Sequence, residues 1–119
     1  MVRTVLIVDD HASFRSLART ILEADGFEVV GEAADGVSAL DRVRTLKPDL
    51  VLLDIQLPDL DGFAVCDHLA LEAQPPSIVL TSTRDISSYR RRLAQSSARG
   101  FIAKSDLTGL ALAAIVDHE

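Results

Sequence analysis

Two kinds of apolar spacing alternate along the chain. Val5-Leu6-Ile7-Val8, Leu50-Val51-Leu52-Leu53 and Ile78-Val79-Leu80 are short unbroken runs, and Phe101-Ile102-Ala103 comes after Gly100 in the same way. Runs of this length suit strands covered on both faces, as in the middle of a parallel sheet. Residues 27–33 alternate instead, with Glu28 and Glu32 between apolar neighbours. That is the pattern of an edge strand with one wet face. Between the strands the period changes to that of a helix. Phe14, Leu17, Ala18, Ile21 and Leu22 form one face, stopped at Asp25-Gly26. Asp35 caps a second helix that buries Ala39, Leu40, Val43 and Leu46 and ends at Lys47-Pro48. A third helix over 62–71 turns Val65, Cys66 and Leu69 inward. A fourth over 85–96 has a thin apolar face of Ile86, Tyr89 and Leu93, with Arg90-Arg91-Arg92 outside. Ser105 or Asp106 caps a last helix with Leu107, Leu110, Ala111, Ala114 and Ile115 on one face.

Strand and helix alternating in this way predict an α/β fold: a five-stranded parallel sheet with helices on both faces, flavodoxin-like and doubly wound. Right-handed crossovers and an alternating second strand favour the strand order 2-1-3-4-5. The 119 residues suit one domain, 1–119, with no repeat or linker inside it. The single Cys66 rules out an internal disulfide and fits a reducing compartment. A net charge of -6 makes the chain a poor nucleic-acid binder by itself. No apolar run approaches the ~20 residues of a membrane span. With no signal peptide ahead of the first strand, the expectation is a cytoplasmic protein.

The chemistry lies at the carboxyl end of each central strand. Val8 leads to Asp9 and Asp10, Leu53 to Asp54, Leu80 to Thr81, and Ala103 to Lys104. A charge cannot lie inside a strand buried on both faces without a large desolvation cost. Asp54 is therefore expected where its strand emerges, at the carboxyl edge where open α/β sheets bind ligands. In a parallel sheet these endings are neighbours, so three carboxylates, a hydroxyl and an ammonium should converge on one crevice. Crowded carboxylates repel, so one takes up a proton or a cation joins them. Oxygen ligands without Cys or His favour magnesium. A phosphoryl group arriving there could pair with Lys104 and accept from the Thr81 hydroxyl. A carboxylate nucleophile would then form an acyl phosphate, with Asp54 the best placed.

On Asp9-Asp10, Asp54 with Leu57-Pro58 and Asp61-Gly62, Thr81 and Lys104, the chain resembles a response-regulator receiver domain, CheY-like in fold, over essentially its whole length. The resemblance implies that Asp54 accepts a phosphoryl group from a histidine kinase and that the receiver itself catalyses the transfer and the hydrolysis. It implies magnesium bound by Asp10, Asp54 and the backbone carbonyl of Gln56, with Asp9 acting through water. It also implies that Phe101 changes rotamer as Thr81 moves toward the phosphoryl group, and that Gln56 and Thr83 tune dephosphorylation. Asp9-Asp10-His11 and Phe101-Ile102-Ala103-Lys104-Ser105 look most like the NarL/FixJ branch, whose members carry a helix-turn-helix output domain. The chain would then be the receiver part of a transcription regulator, meeting DNA only through an output domain outside these residues. A homodimer would form on phosphorylation, through the first-and-last-helix face or the fourth-helix face. Ser105 departs from the Pro that many receivers have after the Lys, and Ser82 stands where Ala or Gly is usual.

Two other classes compete. A haloacid-dehalogenase-like phosphatase would have a second acid two residues after its nucleophile, where this chain has Gln56. A degenerate receiver would serve as a phosphorylation-independent interaction module, but the acids, Thr81 and Lys104 are all present. GxxxxGK[ST] and GxGxxG are absent, so nucleotide binding has no support. Simpler expectations cover the rest: His11 at a helix start on the surface, His68 and His118 on solvated helix faces, Arg90-Arg91-Arg92 solvated, and Asp59 and Asp61 as turn and cap residues.

Overall fold

The computed structural model describes residues 3–117, so His118 lies outside the described residues. Five strands, β1 (Thr4–Val8), β2 (Glu28–Ala33), β3 (Leu50–Asp54), β4 (Ser77–Ser82) and β5 (Gly100–Ala103), form one parallel sheet in the order β2-β1-β3-β4-β5. The helices between them are α1 (Ala12–Ala24), α2 (Gly36–Leu46), α3 (Gly62–Leu69), α4 (Arg90–Gln95) and α5 (Gly109–Asp117). The expected order and the edge position of β2 are both present. β3 lies in the middle with all five residues buried, which is why its sequence is unbroken Leu and Val up to Asp54.

Alternate strand residues feed two cores. Leu6, Val8, Val51, Leu53 and Leu80 pack under α2 and α3 with Val43, Val65, Cys66 and Leu69. Val5, Ile7, Leu50, Leu52 and Val79 pack under α1 and α5 with Ala18, Leu22 and Leu112. Gly26 has φ +94, and it turns the chain from α1 toward β2 in a conformation that disfavours a Cβ. Among the described residues no helix is long and apolar enough to cross a membrane.

The helices differ from expectation where tertiary contacts override the local period. The stretch 85–96 is not one helix. Asp85 accepts from the Ser87 N–H and holds a 3-10 turn, Ile86–Ser88. Tyr89 leaves helical geometry with φ -125, and its ring is buried against Phe63 and Phe101. The last helix is capped by neither Ser105 nor Asp106, which lie in a second 3-10 turn. The Thr108 hydroxyl accepts from the Ala111 N–H, and the Asp25 carboxylate accepts from the Gly109 N–H, tying the end of α1 to the start of α5. Ala111 and Ile115 pack against the core as expected, but the inward face is shifted by about one residue. Leu112 becomes the buried residue, Leu110 is 82% exposed, Ala114 is also exposed, and Leu107 is buried ahead of the helix. Leu17 and Leu46, expected inside, are 54% and 39% exposed. α3 stops at Leu69, which leaves Leu71 in solvent.

Candidate functional site

Three strand ends build the site. Asp54 closes β3 beside Thr81 of β4, and it is 3% exposed. Asp9 comes directly after β1 and is fully buried, its N–H donating to the Ala33 carbonyl of β2 at 3.0 Å. Lys104 comes directly after β5 and reaches back over the sheet edge. Its Nζ lies 2.5 Å from Asp9 Oδ2 and 3.4 Å from Asp54 Oδ2. The same ammonium sits 4.6 Å from the centre of the Phe14 ring on α1, which covers it and limits its hydration. Asp10 points outward at the rim with its side chain 35% exposed. The crevice, ≈ 540 Å³, is walled by Asp10, Asp54 and Lys104, with Gln56, Thr83 and the exposed Leu17 around its mouth.

Burial, and next the Asp9 charge, push the Asp54 carboxyl up from 3.8 to about 6; the Gln56 N–H, 3.2 Å from Asp54 Oδ1, and Lys104 pull it the other way. A single ammonium thus serves two buried carboxylates. Asp9 Oδ2 is paired with the Lys104 ammonium, and among the described residues it has no further hydrogen-bond donor. Ligand atoms of Asp9, Asp10, His11 and Asp54 all lie within 4.8 Å of one another. Three hard carboxylates gathered this closely, with one ammonium between two of them, fit a divalent cation such as magnesium. His11 starts α1 with an exposed ring, as expected, yet its Nδ1 stands 3.0 Å from Asp10 Oδ1 and 3.3 Å from Asp9 Oδ1.

Thr81 is fully buried, and its hydroxyl donates to the Ile102 carbonyl of β5 at 2.6 Å. It faces β5 and is not free to meet a ligand in this state. Phe101, the neighbour of that carbonyl, is half-buried against Tyr89 with ring centres 6.4 Å apart. Tyr89 also packs on Phe63 at 6.1 Å and brings its hydroxyl to 3.5 Å from Ser82 Oγ, next to Thr81.

The loop after β3 is held against the site. A Cβ at Gly62 would come 2.5 Å from the Asp54 carbonyl oxygen and 2.7 Å from Ile55 Cα, so only glycine lets α3 begin there. Asp61 caps α3 at the Ala64 N–H and pairs with Arg92 at 2.7 Å. Arg92 also lies 4.3 Å over the Phe63 ring, so of the arginine run this member is a cross-link between α3 and α4. Asp59 does more than turn the chain. Its carboxylate accepts from the Gly36 and Val37 N–H groups at 2.7 and 3.0 Å, capping α2 from a different loop. Those two donors hold its carboxyl below the usual range. Asp59→Ala is expected to lower the thermal midpoint by a few degrees, as loss of an N-cap does, with far-ultraviolet circular dichroism as the check. An unchanged midpoint would show that this cap contributes nothing to stability.

Asp9, Asp10, Asp54 and Lys104 are therefore brought together as expected, Thr81 sits beside them but turned to β5, Gln56 and Thr83 line the mouth, and Phe101 lies one strand away. Phe14 and Tyr89 were legible only as core-face residues, and Arg15, which donates to the Asp9 carbonyl at 2.7 Å, gave no signal.

A family model described as the response regulator receiver domain matches residues 5–115. The chain is 38% identical over 106 residues to the virulence-factor positive transcription regulator BvgA of Bordetella pertussis, which covers 89% of the chain and 51% of BvgA. It is 32% identical over 110 residues to the DNA-binding transcriptional activator EvgA of Escherichia coli, covering 92% of the chain and 54% of EvgA. It thus spans about half the length of these relatives. Its backbone matches the signal receiver domain of the response regulator NarL from Mycobacterium tuberculosis with a TM-score of 0.86, at 29% identity and 98% coverage of both chains.

Proposed function

The chain belongs to the response-regulator receiver domain family, and on that premise we propose that it is a single receiver domain phosphorylated on Asp54 by a histidine kinase. The observation that carries this reading is the Asp54 carboxylate, buried at the end of the central strand, crowded by Asp9 and reached by Lys104 in one crevice. An Asp54 oxygen attacks the phosphorus of the donor phosphohistidine. The new O–P bond forms, the P–N bond breaks, and the imidazole leaves with its electron pair. Lys104 pairs with the phosphoryl oxygens as their charge shifts. Asp10, Asp54 and the Gln56 backbone carbonyl would hold magnesium, with Asp9 acting through water. When bound, the ion supplies charge neutralisation for carboxylate and phosphoryl oxygens.

Thr81 then exchanges the Ile102 carbonyl for a phosphoryl oxygen. Loss of that hydrogen bond frees β5 and lets Phe101 change rotamer, a two-state element biased by added charge. Gln56 and Thr83, at the mouth, adjust how fast water hydrolyses the acyl phosphate. The chain acts on its own aspartate and does not turn over a separate substrate. Its output is a dimer or partner surface controlling transcription in the cytoplasm through a DNA-binding domain outside these residues, which agrees with the names and the greater length of BvgA and EvgA. Beryllofluoride with magnesium is the test. Saturable shifts of the Thr81, Phe101 and Ile102 amide signals are expected, and an unchanged spectrum would favour a phosphorylation-independent interaction module.

A further inference from the structure

The peptide joining Asp9 to Asp10 is pinned from outside the acidic cluster. Arg15 Nη1 on α1 donates to the Asp9 carbonyl at 2.7 Å, and Arg15 Nε donates to Glu32 Oε1 on β2 at 3.0 Å. Arg19, one turn further along α1, holds the other Glu32 oxygen at 2.9 Å. Burial raises the Glu32 carboxyl, but hydrogen bonds from Arg19 and Arg15 outweigh it and keep this carboxyl below the usual range. Glu32 is therefore a fixed anion, gripped twice by one face of α1.

We propose that Arg15, backed by Glu32, is a positioning residue that sets the divalent-cation affinity of the site by fixing the Asp9–Asp10 peptide plane. The proposal rests on the metal reading under Proposed function. A peptide is planar, so holding the Asp9 carbonyl also orients the Asp10 N–H and the start of Asp10. On the other side of Asp10, the His11 N–H donates to Asp9 Oδ1 at 2.8 Å. Asp10 is thus clamped before and after its Cα, although its carboxylate stands at the rim. The clamp needs an arginine. One planar guanidinium reaches a carbonyl and a carboxylate at once, whereas a lysine ammonium is a single point charge on a flexible stem. Groups that orient metal ligands without touching the ion commonly change its affinity by about 10–100-fold.

The experiment is a Mg2+ titration of wild type, Arg15→Ala, Arg15→Lys and Glu32→Gln, read by backbone amide shifts, with the thermal midpoint of each measured alongside. Arg15→Ala is expected to weaken Mg2+ binding roughly tenfold, with part of the loss recovered in Arg15→Lys and a smaller loss in Glu32→Gln. Wild-type affinity in Arg15→Ala, whatever its midpoint, would reduce Arg15 to a stabilising contact and overturn the proposal. If Arg15→Ala does not fold, the other two variants decide, and wild-type affinity in both overturns it. A wild-type protein without saturable Mg2+ binding would overturn the metal reading itself, a result separate from any difference among variants.

Discussion

Asp54→Asn takes up no phosphoryl group from a small phosphodonor in magnesium buffer, while Asp61→Asn is labelled like the wild type. Intact-protein mass spectrometry reads both. The expected loss is to background, because the substitution keeps the shape of the side chain but removes the anionic oxygen that attacks phosphorus. The crevice leaves no ready substitute. Asp9 is fully buried under Lys104, and Asp10 is at the rim. Asp61 is a carboxylate in the loop just after Asp54, yet its oxygens are engaged by the Ala64 N–H and by Arg92. Those partners keep its charge at the start of α3, where it acts as a cap. Label retained in Asp54→Asn would place the nucleophile elsewhere, and label lost in Asp61→Asn would show that the loop after β3 has to be intact for transfer.

The same substitution stabilises the fold at neutral pH and ceases to do so in acid. The Asp54 carboxyl lies at about 6 in the folded chain, against an ordinary 3.8. Between those values the native protein keeps a proton that the unfolded chain has released, so stability falls as pH rises through this window. Above it the full cost of a buried charge beside Asp9 remains, at most ~3 kcal/mol for a shift of this size. Asn carries no such cost. In chelator-treated buffer at roughly pH 7.5, Asp54→Asn is expected to melt on the order of 10 °C above wild type. The difference closes as pH falls toward about 4, the ordinary carboxylate range. Parallel melting curves across the range would mean that Asp54 ionises without penalty, and that the crowding seen in the geometry is relieved by some other group. The effect also explains why an aspartate site can be costly for stability yet suited to binding a cation or a phosphoryl group: both relieve a strain already present.

The strand ends were the most legible part of this protein. An apolar run that stops at a carboxylate marks both the strand and the point where it leaves the core, because burial tolerates Leu53 and penalises the charge of Asp54. The helices were less legible. Periodicity assigned Leu110 inward with Ala111 and Ile115, but the docked α5 presents Ala111, Leu112, Ile115 and Val116 to the core and leaves Leu110 in solvent. Tyr89 read as one more helical apolar residue, whereas its contacts with Phe63 and Phe101 break that helix.

The residues alone determined the alternation of strand and helix, the order of the sheet and the gathering of Asp9, Asp10, Asp54 and Lys104 at one edge, because local hydrophobic pattern decides burial and parallel topology aligns strand ends. Only the tertiary structure decided that Thr81 faces β5, that Asp59 caps α2, that Phe14 covers Lys104 and that Arg15 grips Asp9 through a fork shared with Glu32. Each of these joins different elements. Such contacts depend on how neighbouring elements dock, and no spacing along a single strand or helix encodes that.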